Sequence, residues 1–208
     1  MQSKIVITIE REFGSGGREI ARKVAEKLGI KMYDKELIAL IAKESGMSED
    51  VLREVDETVT NSFLHALSSG AYSGSNLMAL GVNNIPITDK AFISCSQIIK
   101  DIVSKESCVI VGRCAEYILR DEENTLSVFI HADVEKRIDR ICEHDEVSRD
   151  KALSIIKRAD KARANYHNYY SDTRWGSRSA YDLCINSKVG LDTAADIIKL
   201  TAEQLNNM

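Results

Sequence analysis

A chain of 208 residues with 44% hydrophobic residues can bury one good-sized core, and it holds no apolar run near the ~18 residues that a membrane helix needs. Its net charge of −4 argues against a general nucleic-acid binder, and the polar–apolar alternation of MQSKIVITIE carries no secretory signal, so a cytoplasmic chain away from membranes is expected. Five cysteines, an odd set without a CxxC pair, read as reduced thiols, with Cys108, Cys142 and Cys184 inside apolar patterns and expected to be buried.

Residues 5–10, IVITIE, form a short apolar run bounded by charge, which predicts a buried strand. After Arg11-Glu12-Phe13 comes Gly14-Ser15-Gly16-Gly17. From Arg18 the period turns helical, with Ile20, Ala21, Val24, Ala25 and Leu28 on one face and Gly29 as the stop. Residues 30–33 predict a second strand ending at Asp34, a helix follows over 36–43, and Ser48 is a good N-cap for another. Residues 60–87 gather Ser, Gly and Asn around short apolar pieces and hold the only proline, Pro86. They read as a mobile insertion of the kind that carries binding loops and lids.

A helix is expected over 90–105, then a third strand over 108–111 closed by Gly112-Arg113. A fourth strand over 126–131 leads to Asp133, placed to cap a helix from Val134. A long charged helix over 150–170, a fifth strand over 183–185 and a last helix opened by Asp192 complete the chain. Strands alternating with helices predict an α/β fold with a parallel sheet covered on both faces.

The strongest chemical signal is the glycine turn. A strand, a glycine-rich turn and a helix put backbone N–H groups and a positive helix end around a phosphate. A plain tight turn needs one glycine or two; three glycines and a serine in four residues exceed that need. The turn departs from the Walker pattern GxxxxGK[ST]. With Gly16 on its second glycine, Arg11 takes the first, Gly17 stands for the lysine and Arg18 for the hydroxyl residue. Arg18 is the nearest substitute for the missing charge, as a planar fork in place of a point charge. Residues 157–178 carry a local excess of +4, leaving −8 for the rest, which suits a compact anion, although such a run is more often a solvated helix face. His131 has no His or Cys at ligand spacing, so no metal centre is read.

The stretch ITIEREFGSGGREIARKVAEKLG, followed by YDKELI, resembles the cytidylate kinase-like family, and VIVGRCAEYIL, FIHADVEKRIDRI, DKARANYHNYY and YDLCINS agree with it in order. The resemblance implies a three-layer α/β/α P-loop nucleotide-kinase fold. It would be a single domain with a five-stranded parallel sheet, a helical insertion over about 45–105 and a lid-like segment over about 145–178. It implies ATP with Mg2+ as cofactor, small-molecule nucleotides as partners, and phosphoryl transfer to CMP or dCMP. The donor set would be Gly14, Ser15, Gly16, Gly17, Arg18, Glu19, Arg137 and Arg140. The acceptor set would be Asp34 at the sugar, Arg113 and Arg163 at the phosphate, Asp160 at cytosine's amino group, and Arg158 as a further cation. Arg18 and Arg163 would be the catalytic charges. Each residue has a plainer reading beside this one: Asp34 as an N-cap, Asp160 with Arg163 as a surface ion pair, the Tyr166 to Tyr170 cluster as packing in place of base stacking. Two rivals stand beside the kinase: a non-catalytic nucleotide sensor, favoured by the missing lysine, and a kinase of another small phosphorylated acceptor.

Overall fold

The computed structural model describes residues 4–45 and 86–205. The N-cap expected at Ser48 and nearly all of the stretch 60–87 lie outside the described residues. The strands are β1 (Val6–Arg11), β2 (Lys31–Tyr33), β3 (Cys108–Val111), β4 (Thr125–His131) and β5 (Leu183–Asn186). Seven α-helices accompany them among the described residues: α1 (Gly17–Leu28), α2 (Lys35–Ser45), α3 (Ile87–Lys105), α4 (Ala115–Ile118), α5 (Val134–Asp145), α6 (Arg149–Tyr170) and α7 (Leu191–Leu205). All strand pairs are parallel, in the order β2-β3-β1-β4-β5, so the fold is the expected three-layer α/β/α.

The layers follow from alternation along β1. Ile5, Ile7 and Ile9 pack with α1 and α7 on one face, while Val6 packs with α2, α3 and α4 on the other. Thr8 and Glu10 fall on the face of Val6, and both are buried. A strand in the middle of the sheet thus gives one face a polar end at its carboxyl edge. A third, smaller core joins α5 to α6 through Ile138, Ile141, Ala152 and Ile156, with Phe13 packed against it.

Local rules explain most boundaries. In α1 the buried stripe is Ile20, Ala21, Val24 and Ala25, and Gly29 ends the helix at φ +64, its N–H reaching the carbonyls of Ala25 and Glu26. α3 starts directly after Pro86, which forfeits no helical bond there. Asp133 stands at the N-cap of α5 as expected, but its side chain makes no capping bond there; its carboxylate accepts from Asn186 Nδ2 at 3.5 Å. Ser148 does cap α6, accepting from Lys151 N–H. Cys184 is exposed, against expectation, because β5 is an edge strand and its alternation turns Ile185 inward and Cys184 out. Cys142 is half-buried beside the α5–α6 core. No helix among the described residues is long and apolar enough to cross a membrane.

Candidate functional site

With β1 between β3 and β4, the loops after all three strands meet at one edge of the sheet. Gly14 and Gly16 take φ +77 and +83, a region that a Cβ disfavours. Ser15 between them is fully buried, its hydroxyl donating to the Glu12 carbonyl at 2.8 Å and accepting from Gly17 N–H at 3.3 Å. Close approach adds a second demand for glycine. A Cβ on Gly16 would stand 2.0 Å from Arg140 Nη1, one on Gly17 2.6 Å from Arg11 Cβ, and one on Gly14 3.1 Å from the Arg137 carbonyl. The first bond of α1 runs from Ile20 N–H to the Gly16 carbonyl, which leaves the N–H groups of Arg18 and Glu19 at the positive end of the helix.

A buried network holds the entrance of this loop. Arg137 Nε donates to the Phe13 carbonyl at 2.7 Å, Nη1 lies 3.1 Å from Glu12 Oε2, and Nη2 pairs with Asp160 Oδ2. The other oxygen of Asp160 accepts from Phe13 N–H at 2.7 Å. The main chain of Phe13 is therefore gripped on both sides, by α5 and by α6. Arg163 Nη1 donates to the Arg11 carbonyl at 2.9 Å, and its guanidinium lies 5.4 Å from the centre of the Phe13 ring.

Of the residues singled out from the sequence, Arg137, Arg140, Asp160 and Arg163 thus converge on the Gly14–Gly17 loop. Arg18 and Asp34 form a separate pair, Nε to Oδ2 at 2.5 Å, with Arg18 55% exposed. Glu19 and Arg158 are exposed. Both oxygens of Asp160 are spent inside the protein.

The turn after β3 faces this loop. Gly112 takes φ +74 under the Arg11 guanidinium; a Cβ there would meet Nη1 at 2.2 Å. Arg113 and Cys114 follow at φ +65 and +56, two successive left-handed residues that are not glycine. Beneath them lies a buried polar cluster. His167 Nε2 is 2.8 Å from Glu116 Oε1, and Cys114 Sγ approaches the same oxygen at 3.7 Å. Trp175 Nε1 donates to Glu10 Oε2 at 3.3 Å on the same side of the sheet. Burial pushes the carboxyl of Glu116 up, against the pull of His167, and pushes up the Cys114 thiol and the Tyr181 phenol. Burial works against a charged His167, but Glu116, with Glu10 and Asn168 adding to it, raises the imidazole on balance.

The aromatic cluster at the end of α6 is packing. Tyr170 stacks on Phe92 of α3 at 3.9 Å between ring centres, and its hydroxyl donates to Asp89 at 2.9 Å. Sequence reasoning missed Arg11, Glu12 and the Cys114–Glu116–His167 group. Arg11 carried a signal, since it occupies the first glycine of the Walker pattern. For the buried group, the polar residues Thr8 and Glu10 within an otherwise apolar strand were the available hint.

A sequence profile of the cytidylate kinase-like family matches residues 6–189. The chain belongs to the cytidylate kinase-like family. A cytidylate kinase of Pyrococcus horikoshii is 26% identical over 208 residues, covering 99% of this chain and 92% of that relative. An uncharacterized protein from Eubacterium ventriosum, solved by crystallography, shares 36% identity and a TM-score of 0.71 over 97% of this chain and 99% of its own. A gluconokinase from Sinorhizobium meliloti, 11% identical with a TM-score of 0.53 over 100% of this chain and 96% of its own, shares the fold.

The loop suits phosphate, since the glycines clear the ground in front of the helix end and Arg140 lies against Gly16. It does not suit magnesium in the usual way. Arg18 stands where the hydroxyl residue belongs, and the Ser15 hydroxyl is buried and engaged with Glu12 and Gly17.

Proposed function

We propose that this member of the cytidylate kinase-like family transfers a phosphoryl group from ATP to a nucleoside monophosphate, with CMP or dCMP the first choice. The observation that carries the reading is the glycine loop at the end of the middle strand, pressed against Arg140 and opposite the Gly112-Arg113 turn. Phosphoryl transfer asks a protein mainly for positioning and for positive charge around the transferring group. The loop N–H groups and the end of α1 hold the donor phosphates, with Arg140 on the α5 side, while Arg137 braces the loop entrance through Phe13, Glu12 and Asp160. Arg113 and Arg163 hold the acceptor phosphate, Asp34 its sugar, and Arg158 adds charge from the exposed face of α6. Arg18 and Arg163 supply the catalytic charge. A monophosphate acceptor is already ionised, so no base is required. Magnesium, when bound, would neutralise charge on the donor oxygens; no step here depends on a loop hydroxyl.

For Asp160 the geometry favours holding the loop over reading the base, because both of its oxygens already serve Phe13 and Arg137. The preference for CMP therefore rests on the family alone. The test is turnover of CMP, dCMP, UMP, AMP and GMP with ATP and Mg2+. Turnover led by CMP or dCMP supports the reading in full. Another leading acceptor leaves the kinase and removes the cytidylate. ATP binding without turnover of any monophosphate removes the nucleotide kinase and leaves the sensor and the kinase of another small phosphorylated acceptor.

A further inference from the structure

The cluster beneath the β3 turn is not used by this reading of phosphoryl transfer. It contains three kinds of donor atom, a thiol, a carboxylate and an imidazole, from Cys114, Glu116 and His167. All lie within 4.8 Å of one another, and the three residues are 1%, 7% and 1% exposed. They come from two separated segments, the turn into α4 and the last turn of α6.

Hydrogen bonding accounts for them only in part, through the Cys114 thiol, which donates to Glu116 Oε1 at 3.7 Å. His167 Nε2 sits 2.8 Å from Glu116 Oε1, yet neither ring nitrogen of His167 has a hydrogen-bond partner, and Glu116 Oε2 has none either. Contact without alignment is how two ligands of one ion approach each other, each aiming its lone pair at a shared point and not at its neighbour. Buried polar atoms left unpaired are costly, and most proteins avoid them. The nearby Glu10 adds a second buried carboxylate on this side of the sheet. One divalent cation would take up one imidazole lone pair, the thiolate and a carboxylate oxygen, and offset the surplus negative charge.

We propose that Cys114, Glu116 and His167 bind a divalent transition-metal ion, with Zn2+ the best match. Mixed sulfur, nitrogen and oxygen donors select zinc over Mg2+ or Ca2+, which take oxygen. Full burial marks the site as structural. The ion would fasten α6 to the turn that presents Arg113. The left-handed backbone at Arg113 and Cys114 then has a purpose, since it turns the Cys114 sulfur inward to meet Glu116. The proposal stands whether or not the chain is a kinase.

The test starts with the untagged wild-type chain expressed in zinc-supplemented medium and freed of loose metal by gel filtration. Elemental analysis should find about one equivalent of zinc per chain, released by a chromophoric chelator on denaturation. The stripped protein titrated with Co2+ should develop a thiolate-to-cobalt charge-transfer band that saturates at about one equivalent. Cys114→Ser should abolish that band, and His167→Gln should weaken Co2+ binding about 10-fold or more. Cys142→Ser, outside the cluster, should leave both unchanged. Wild-type protein that carries no zinc and gives no thiolate band with Co2+ overturns the proposal without reference to any variant. So does a band that survives Cys114→Ser.

Discussion

Replacing Asp160 by Asn separates two roles that the residue could have. The substitution keeps the size of the side chain and an oxygen for Phe13 N–H, but removes the charge facing Arg137. Arg137 is only 6% exposed and keeps Glu12 at 3.1 Å as its remaining carboxylate. Stripping a buried ion pair of one partner costs about 3–5 kcal/mol. Here the second carboxylate stays and the Asp160 side chain is 20% exposed, so a loss of about 1–3 kcal/mol is expected. For a chain of this size that lowers Tm by about 2–12 °C. Because Phe13 leads into the glycine loop, ATP affinity should fall with it, while any CMP-over-UMP ratio in kcat/KM stays as it is. Thermal denaturation, calorimetry with ATP and the two kinetic ratios read all three quantities. An unchanged Tm together with a collapsed CMP-over-UMP ratio would refute the reasoning, because Asp160 would then face the base.

Gly16→Ala places a methyl group at φ +83 and 2.0 Å from Arg140 Nη1, so calorimetry should show ATP affinity falling at least about 10-fold in a chain that circular dichroism finds folded. Unchanged affinity would take the loop out of the site. Arg18→Ala should lower kcat by about 100-fold if Arg18 replaces the missing lysine. A drop below about threefold would assign that charge to Arg140 or Arg11 and leave Arg18 as the partner of Asp34. Arg163→Ala should raise KM for every monophosphate alike, without a change in their order; a selective effect on one base would contradict its role at the phosphate.

The fold was legible because each of its signals is local. The apolar runs at 108–111 and 126–131, the stripe on α1 and the stop at Gly29 depend on near neighbours in sequence, and the structure keeps them. The glycine turn between β1 and α1 was legible for the same reason. Partners of the charged residues were not. Asp160 and Arg163 share a helix face, as spacing requires, but what they meet is Phe13 and Arg11, 147 and 152 residues away. The exposure of Cys184 likewise depends on β5 lying at the edge, which its own apolar neighbours do not reveal.

Arg11 ends the middle strand with three attachments. Its Cβ packs on Gly17, its guanidinium covers Gly112, and its carbonyl accepts from Arg163 on α6. One residue therefore touches the glycine loop, the turn after β3 and α6. With donor and acceptor at these two turns, as the proposed function has them, occupancy of one should be felt at the other through this side chain, and thermodynamic reciprocity requires the effect to be equal in both directions. The two substrates should bind cooperatively. The factor by which CMP tightens a non-hydrolysable ATP analogue should match the factor by which the analogue tightens CMP, and Arg11→Ala should bring both toward unity.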